Sequence, residues 1–521
     1  MRFKQKLSSF YPYSSTIMSM DAGYVYPAFV RECYPNDRLK ISHEALLKSA
    51  PMLFPIYSPM KLRFDYFYNE NRNVWRGDEA KDWSAFIFNS VDGKPITDPS
   101  QVPLMPTVTF TADDCEAGSL ADYLGFNTES AMVGAKVSAL RFRHYNQIVN
   151  NFYLDENFST KLPISLTEGP DTITSRALAK RCWNKDRFTT AAASPQAGVS
   201  IGIPLSDDIP IVYENASPAV AEGAAAAVSM VGYQNFPVAR IAYQGSDGIF
   251  HDFPIGGTGD LKAKLSEATS IPIDTLHFVT QIERLNQQDN FWGTRDFEAI
   301  RTHFGITVPD TRLQRPTHLG YSVVDVHFSE VLQTSQTTTG SNGSPQGNIT
   351  GHTMAVDKTK PVKYLVREHG YLFIMVTLMP IAQYQQGVPR DALYQTRYDY
   401  MWPLLSETGE QEIFEAEIRG TASNIASRKI FGFEPRYNHL RFGEKTVHGD
   451  FRTSLVGYHT GRIFDSDPNL NEQFITADPT KRMFAVEFDG VQPWWLRVEF
   501  EIQHTRRLPK WPTPSAIGKL F

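Results

Sequence analysis

Leu496, Val498, Phe500 and Ile502 alternate with Arg497, Glu499, Glu501 and Gln503, a period of two that turns one face of an extended strand into a core and leaves the other to water or a neighbour. The same alternation runs through Leu62, Phe64, Tyr66 and Tyr68, through Val324, Val326 and Phe328, and through Phe484, Val486 and Phe488, each an expected strand. Tyr371 to Met379 is apolar almost throughout and is stopped by Pro380. Far shorter than the ~20 residues that cross a bilayer, it reads as a strand buried on both faces, and no membrane insertion is expected. Helical spacing occurs over Leu140 to Phe152, over Leu276, Val279, Ile282 and Leu285, and over Phe297, Ile300 and Phe304 behind an N-cap at Thr294. Strands and helices do not alternate regularly and no glycine-rich phosphate turn follows a strand, so the pattern predicts a mainly β fold with inserted helices rather than a parallel βαβ repeat.

Hydrophobic residues make up 41% of the 521, enough for a sizeable core and too much for wholesale disorder, and the 33 prolines point to long loops. Lys and Arg total 51 against 57 Asp and Glu, a net charge of -6. That is the wrong sign for a chain that condenses nucleic acid by itself, so any nucleic-acid contact has to be local. Cys33, Cys115 and Cys182 lie far apart and form no CxxC pair, which points to reduced thiols in a cytosolic environment rather than a disulfide framework or a zinc ribbon. Arg2, Lys4 and Lys6 are followed by no apolar stretch, so a secretory signal is not expected. Two segments of small residues, Ala219 to Val228 and Thr337 to Gly347, read as loops. Residues 205 to 273, dense in Gly, Ala, Pro and Ser, read as an insertion projecting from a body formed by 1 to 204 and 274 to 521.

Catalytic signatures are incomplete wherever they begin. No HxH or HExxH occurs, and His43-Glu44 lacks a second histidine on its face, so the two are expected to be an exposed pair. GxSxG is absent, and Gly256-Gly257-Thr258-Gly259 lacks the last glycine of a dinucleotide turn. Asp113-Asp114 and Asp207-Asp208 are expected to cap or to be solvated in loops rather than to act as acid and base, and neither metal nor cofactor is expected. Basic residues interleaved with aromatics form the constellations with a nucleic-acid character. Arg506, Arg507, Lys510 and Trp511 follow Trp494 and Trp495, Arg141 and Arg143 precede Tyr145, and Arg2, Lys4 and Lys6 flank Phe3. Cations can meet phosphates while rings stack on bases, but the same residue types are what subunit interfaces select, so both readings stand.

A resemblance carries the functional expectation. Gly293-Thr294-Arg295-Asp296-Phe297, Arg301 to Gly305, and Pro309-Asp310-Thr311-Arg312-Leu313-Gln314-Arg315-Pro316 resemble a segment of the major capsid proteins of microviruses, small single-stranded DNA bacteriophages, above all their gokushovirus-like branch. Blocks in the same order occur from Asp21 to Asp37, at Leu140 to Asn146, at Asp155-Glu156-Asn157, at Glu368-His369-Gly370-Tyr371, at Tyr384 to Gly387, and at Thr396 to Tyr400 with Trp402-Pro403. The resemblance implies a viral jelly roll with long loop and helical insertions, and a non-enzymatic coat subunit of the virion assembled in the host cytoplasm. It implies a T=1 icosahedral shell of about 60 identical copies, built through pentamers with scaffolding proteins. A circular single-stranded DNA, a small basic DNA-packaging protein, a pilot or minor virion protein and a host surface receptor are the further partners it implies, with residues 205 to 273 as a threefold protrusion for the receptor. The alternative that the residues alone leave open is a metal-dependent jelly-roll enzyme or a carbohydrate-binding module.

Overall fold

The alternating segments pair into a curled antiparallel sheet system in the computed structural model, which describes residues 7–77, 81–91, 94–196, 211–215, 242–244, 250–252, 259–263, 273–291, 296–310, 312–332, 349–407, 409–484 and 491–510. Its strands are β1 (Tyr13–Met20), β2 (Tyr26–Cys33), β3 (Arg38–Ser49), β4 (Met60–Glu70), β5 (Thr317–Leu332), β6 (Ile349–Lys358), β7 (Gly370–Pro380) and β8 (Trp494–Arg506). Neighbours pair antiparallel in the orders β1-β8-β3-β6 and β2-β7-β4-β5. That is the strand order of a jelly roll, two facing four-stranded sheets. The two are continuous along one edge because β5 changes partner: Thr317 to Val326 run beside β4, and His327 to Leu332 beside β6. Ser8–Phe10 adds to the far end of β8, and Val362–Leu365 to β3.

The inward set of both sheets makes the core, with Leu496, Val498, Phe500 and Ile502 of β8 facing Leu62, Phe64, Tyr66 and Tyr68 of β4, all essentially inaccessible. Phe29 of β2 meets Phe500 across the gap at 4.9 Å between ring centroids. Burying each such side chain is worth about 1.5–3 kcal/mol. A second layer covers the other face of β2-β7-β4-β5: Phe142, Tyr145, Ile148 and Val149 of helix α1 (Leu140–Phe152) pack on Phe67, Phe373 and Met375. β7 is therefore buried on both faces, as its unbroken apolar run predicts. Gly370 opens β7 with room for no side chain, since a Cβ there would lie 2.2 Å from the carbonyl oxygen of Asn69. Helices α2 (Ile273–Phe291) and α3 (Asp296–Phe304) match the other two helical spacings.

The chain divides into two compact units, Met1–Pro195 with Asp289–Phe521, which holds the jelly roll, and Gln196–Gln288. In the second, Ile211–Asn215 pairs with Gly259–Ala263 and Ala242–Gln244 with Phe250–Asp252. Ala219 to Val228, Thr337 to Gly347, Thr294, Asp207-Asp208 and Gly256-Gly257-Thr258 lie outside the described residues.

Two expectations fare differently. His43 and Glu44 are not an exposed pair: they sit on a strand, where neighbours point to opposite faces, so Glu44 is exposed while His43 is buried between the Tyr66 hydroxyl at 2.5 Å and Asp357 at 3.2 Å. Phe484 forms only an isolated bridge to Met52, and Val486 and Phe488 lie outside the described residues.

Where β4 ends, a buried polar cluster ties the sheet to α1. The Asn69 amide donates to His144 Nδ1 and to Gln147, both at 2.8 Å, His144 Nε2 meets Asn71 at 2.9 Å, and the Asn73 amide donates to Glu70 at 2.9 Å. Complete burial pushes His144 from 6.5 down to about 3, so the ring is neutral, and burial lifts the Glu70 carboxyl from 4.5 to about 7. The two act oppositely on stability. Glu70 contributes fully below pH 4.5 and loses that contribution as pH rises through about 7, whereas His144 contributes above pH 6.5 and loses it as pH falls toward 3. Glu70→Gln removes the first, so relative to wild type the variant is expected to gain about 3 kcal/mol between pH 4.5 and about pH 8. Paired melting curves across that range check it, and a difference that does not change with pH would refute the lifted carboxyl.

Candidate functional site

The basic residues singled out by sequence fall in two places with different fates. Arg141 and Arg143 belong to α1. Arg141 is half-buried, donates to the Leu124 carbonyl at 2.6 Å, and lies 5.5 Å from the Phe126 ring. Arg143 is wholly buried: Nε pairs with Asp171 at 2.7 Å, while Nη2 and Nη1 donate to the carbonyls of Thr167 at 2.9 Å and Val74 at 3.2 Å. Burial raises the Asp171 carboxyl, but hydrogen bonds from Thr174 and Arg143 outweigh it and hold the group below the usual carboxylate range. The Arg143 guanidinium is thus engaged on every nitrogen by partners inside the subunit. Tyr145, third of that set, is equally internal, with its hydroxyl donating to the Val25 carbonyl at 2.8 Å.

Arg506 ends β8, where Nη2 pairs with Asp37 at 2.7 Å and the guanidinium lies 5.2 Å from the Tyr34 ring. Next to it, burial first and then the nearby Arg506 and Arg31 lower His504 to about 4, and its ring stacks on Phe10. Arg507 and Lys510 are exposed, and Trp511, Arg2, Lys4, Lys6 and Phe3 lie outside the described residues. The structure thus separates Arg141 and Arg143, on α1 over the β2-β7-β4-β5 sheet, from Arg506, which ends β8 of the other sheet, and Arg507 just beyond it.

Groups that could do chemistry are engaged in structure. Asp114 accepts from the Thr111 backbone and hydroxyl at 2.8 Å and pairs with Arg176. A hollow of about 150 Å³ is walled by Arg187, Tyr384, Arg390 and Glu417, but Glu417 is held by Arg390 at 2.8 Å and Arg187 at 2.5 Å. Among the described residues no three His, Cys, Asp or Glu converge on a metal-sized point. Cys33 and Cys182 are buried thiols, with Cys33 pushed up to about 12 by burial.

What the sequence reading passed over is a surface. Tyr398, Tyr400, Met401, Trp402 and Leu404 are all largely exposed, Leu404 to 88%, and Leu440 and Phe442 are exposed nearby in sequence to the residues that hold them. This loop between β7 and β8 is fixed: Trp402 Nε1 donates to the Arg397 carbonyl at 2.8 Å, its backbone N–H to the Tyr437 hydroxyl at 3.1 Å, and that hydroxyl to the Tyr400 carbonyl at 3.2 Å. Tyr437 holds this position in the left-handed region, φ 61°, which is uncommon for a bulky residue and costs about 1–3 kcal/mol. The signal was present as an aromatic run with no strand or helix period, in a block already matched to the resemblance.

Comparison with known proteins places the whole chain. The family model described as "Capsid protein (F protein)" matches residues 6–516. The chain is 30% identical to capsid protein VP1 of Bdellovibrio phage phiMH2K, over 95% of this chain and 92% of that one. It is 27% identical to capsid protein VP1 of Chlamydia phage 1, over 90% and 89% of the two chains, and 26% identical to capsid protein VP1 of Spiroplasma virus 4, over 96% and 93%. Matched by the family model over nearly its whole length and by these relatives end to end, the chain belongs to the phage capsid protein (F protein) family: it is a major capsid protein of the microvirus kind, a structural component of the virion and not an enzyme.

Proposed function

We propose that this capsid protein builds a T=1 icosahedral shell of about 60 copies, through pentamers, around a circular single-stranded DNA. The observation that carries the reading is the fixed apolar loop Arg397 to Leu405 on a completed jelly roll. A monomer that stays alone in water rarely fixes five large exposed apolar side chains within one short loop, whereas a coat subunit can bury them against the next copy. Pre-ordering of the loop lowers the entropy cost of that contact. Scaffolding proteins, a small basic packaging protein and a pilot or minor virion protein are the assembly partners that fit, the basic protein because the chain itself carries -6.

The test is sedimentation of the protein expressed with its neighbouring genes, followed by electron microscopy of the fastest fraction. Closed particles or pentamers are expected, and a persistent monomer would overturn the reading. Residues 205 to 273 are the proposed host-facing protrusion. Excising them and bridging the ends is expected to leave particles intact and to remove attachment to host cells, and loss of soluble protein would instead place them in the folding core.

A further inference from the structure

The two sheets of the jelly roll are treated unequally. α1 and the segments around it cover the outer face of β2-β7-β4-β5, while the outer face of β1-β8-β3-β6 is bare among the described residues: Ile17 is 82% exposed, Trp495 50%, and Met354 and Val356 52% each. Strand register lines these up in rows. Trp495, Lys48 and Met354 form one, and Ile17, Arg497, Leu46 and Val356 the next.

The charge on this face opposes that of the chain. Outward-pointing cations are Arg38, Lys40, Lys48, Lys358, Lys363 and Arg497, against the carboxylates Glu44, Glu499 and Glu501, a net of +3 on a chain of -6. Arg497 pairs with Glu499, and Lys358 with Glu44 at 3.3 Å. At the other end of the face Lys40 and Lys363 are direct cross-strand partners, with Arg38 two residues further along, and no ion pair joins any of the three among the described residues. Like charges directly opposite on a sheet repel, so this arrangement favours an anion laid across it. Two hollows open here, of about 390 and 360 Å³, with Lys40 and Gln503 in the walls of both. Tyr11 and Tyr13, both strongly exposed, line the first together with the carboxylate of Glu501, and Arg38 and Lys363 line the second, which holds no carboxylate. Rings for bases beside cations for phosphates, with no base-edge reading required, are the makings of a sequence-tolerant single-strand seat.

We propose that the bare face of the β1-β8-β3-β6 sheet seats single-stranded DNA along its length, with phosphates over Arg38, Lys40 and Lys363 and a base against Tyr13 at one end, and a further base against Trp495 at the opposite end, eight positions along β8. The inference rests on the reading that the shell encloses single-stranded DNA. It also sets the face apart from the docking of a basic protein, which a net positive surface repels.

Titration of the full chain with a fluorescent oligo(dT) 20-mer at several salt concentrations tests it. The triple variant Arg38→Ala, Lys40→Ala, Lys363→Ala is expected to lower the slope of log affinity against log salt by about 2, at about 0.7 per phosphate contact. Trp495→Ala is expected to weaken binding about tenfold with the slope unchanged, as loss of one stacked base would. All of these side chains are exposed, and unchanged melting temperatures confirm that the variants fold. Wild-type affinity and slope in both variants, or no binding by the parent chain, overturns the seat. So does a Trp495→Ala protein that binds the oligonucleotide normally but no longer sediments as particles, because the face would then belong to a neighbouring copy. Extraction of nucleic acid from wild-type particles separates the two failures: particles without single-stranded DNA defeat the coat reading itself, whereas particles that hold it while the variants bind normally defeat this seat alone.

Discussion

Arg143→Met is expected to cost about 3–5 kcal/mol, a large share of the stability of any ordinary domain and enough to leave most of the protein insoluble. The penalty comes less from the bonds lost than from the partner left behind. Asp171 is itself inaccessible and stays charged, because Thr174 donates to it from its backbone at 3.0 Å and from its hydroxyl at 2.6 Å. Without the guanidinium that carboxylate is an uncompensated buried charge, and the carbonyls of Thr167 and Val74 lose their donor. Arg141→Ala, two residues earlier on α1 and half-buried, removes one carbonyl contact and a ring contact, and is expected to cost about 1 kcal/mol. Denaturant midpoints of the two variants measure the contrast. The double variant Arg143→Met, Asp171→Leu is expected to regain much of the loss, since it removes both charges together. An Arg143→Met protein that melts like wild type, yet yields particles with less DNA, would mean that this guanidinium works on nucleic acid after all.

The contrast between these two arginines shows where sequence reading stops. The period that predicts α1 over Leu140 to Phe152 fixes the helix to the residue, because its apolar face must meet β4 and β7. It does not say which arginine faces inward, since Arg143 is tolerable inside only through Asp171, a partner 28 residues on that no local pattern connects to it. The strands divide the same way. β8 and β4 announce themselves with Leu, Val, Phe and Tyr at every inward position, but β3 carries His43 and Ala45 among its inward residues, and that dilution hides an equally regular strand. The same hidden strand conceals Arg38 and Lys40, whose pairing with Leu365 and Lys363 depends on a register set by a segment more than 300 residues away. Exposed function is harder still to read. The loop Arg397 to Leu405 has no period because hydrogen bonds and ring contacts hold it rather than one buried face, so an apolar period does not mark it.

That loop should decide assembly. Leu404→Asp with Trp402→Ala is expected to abolish sedimentation as particles while leaving the melting temperature within a few degrees of wild type. Leu404 is 88% exposed, so it contributes almost nothing to the isolated subunit, and a carboxylate there meets only water until a neighbour arrives. In a contact it would be desolvated against apolar surface, and central anchors of this kind typically carry at least about 2 kcal/mol each. A closed shell repeats the contact in every copy, so a loss of that size per interface is multiplied around each pentamer and particles vanish rather than become merely weaker. Tyr437→Phe separates ordering from contact. It removes the hydroxyl that holds Trp402 and Tyr400 but leaves the apolar surface whole, so it is expected to slow assembly and raise the concentration it needs, not to prevent it. Normal particles from the Leu404→Asp, Trp402→Ala protein would remove this loop from the interface and leave its exposed aromatic surface to a partner other than a second copy.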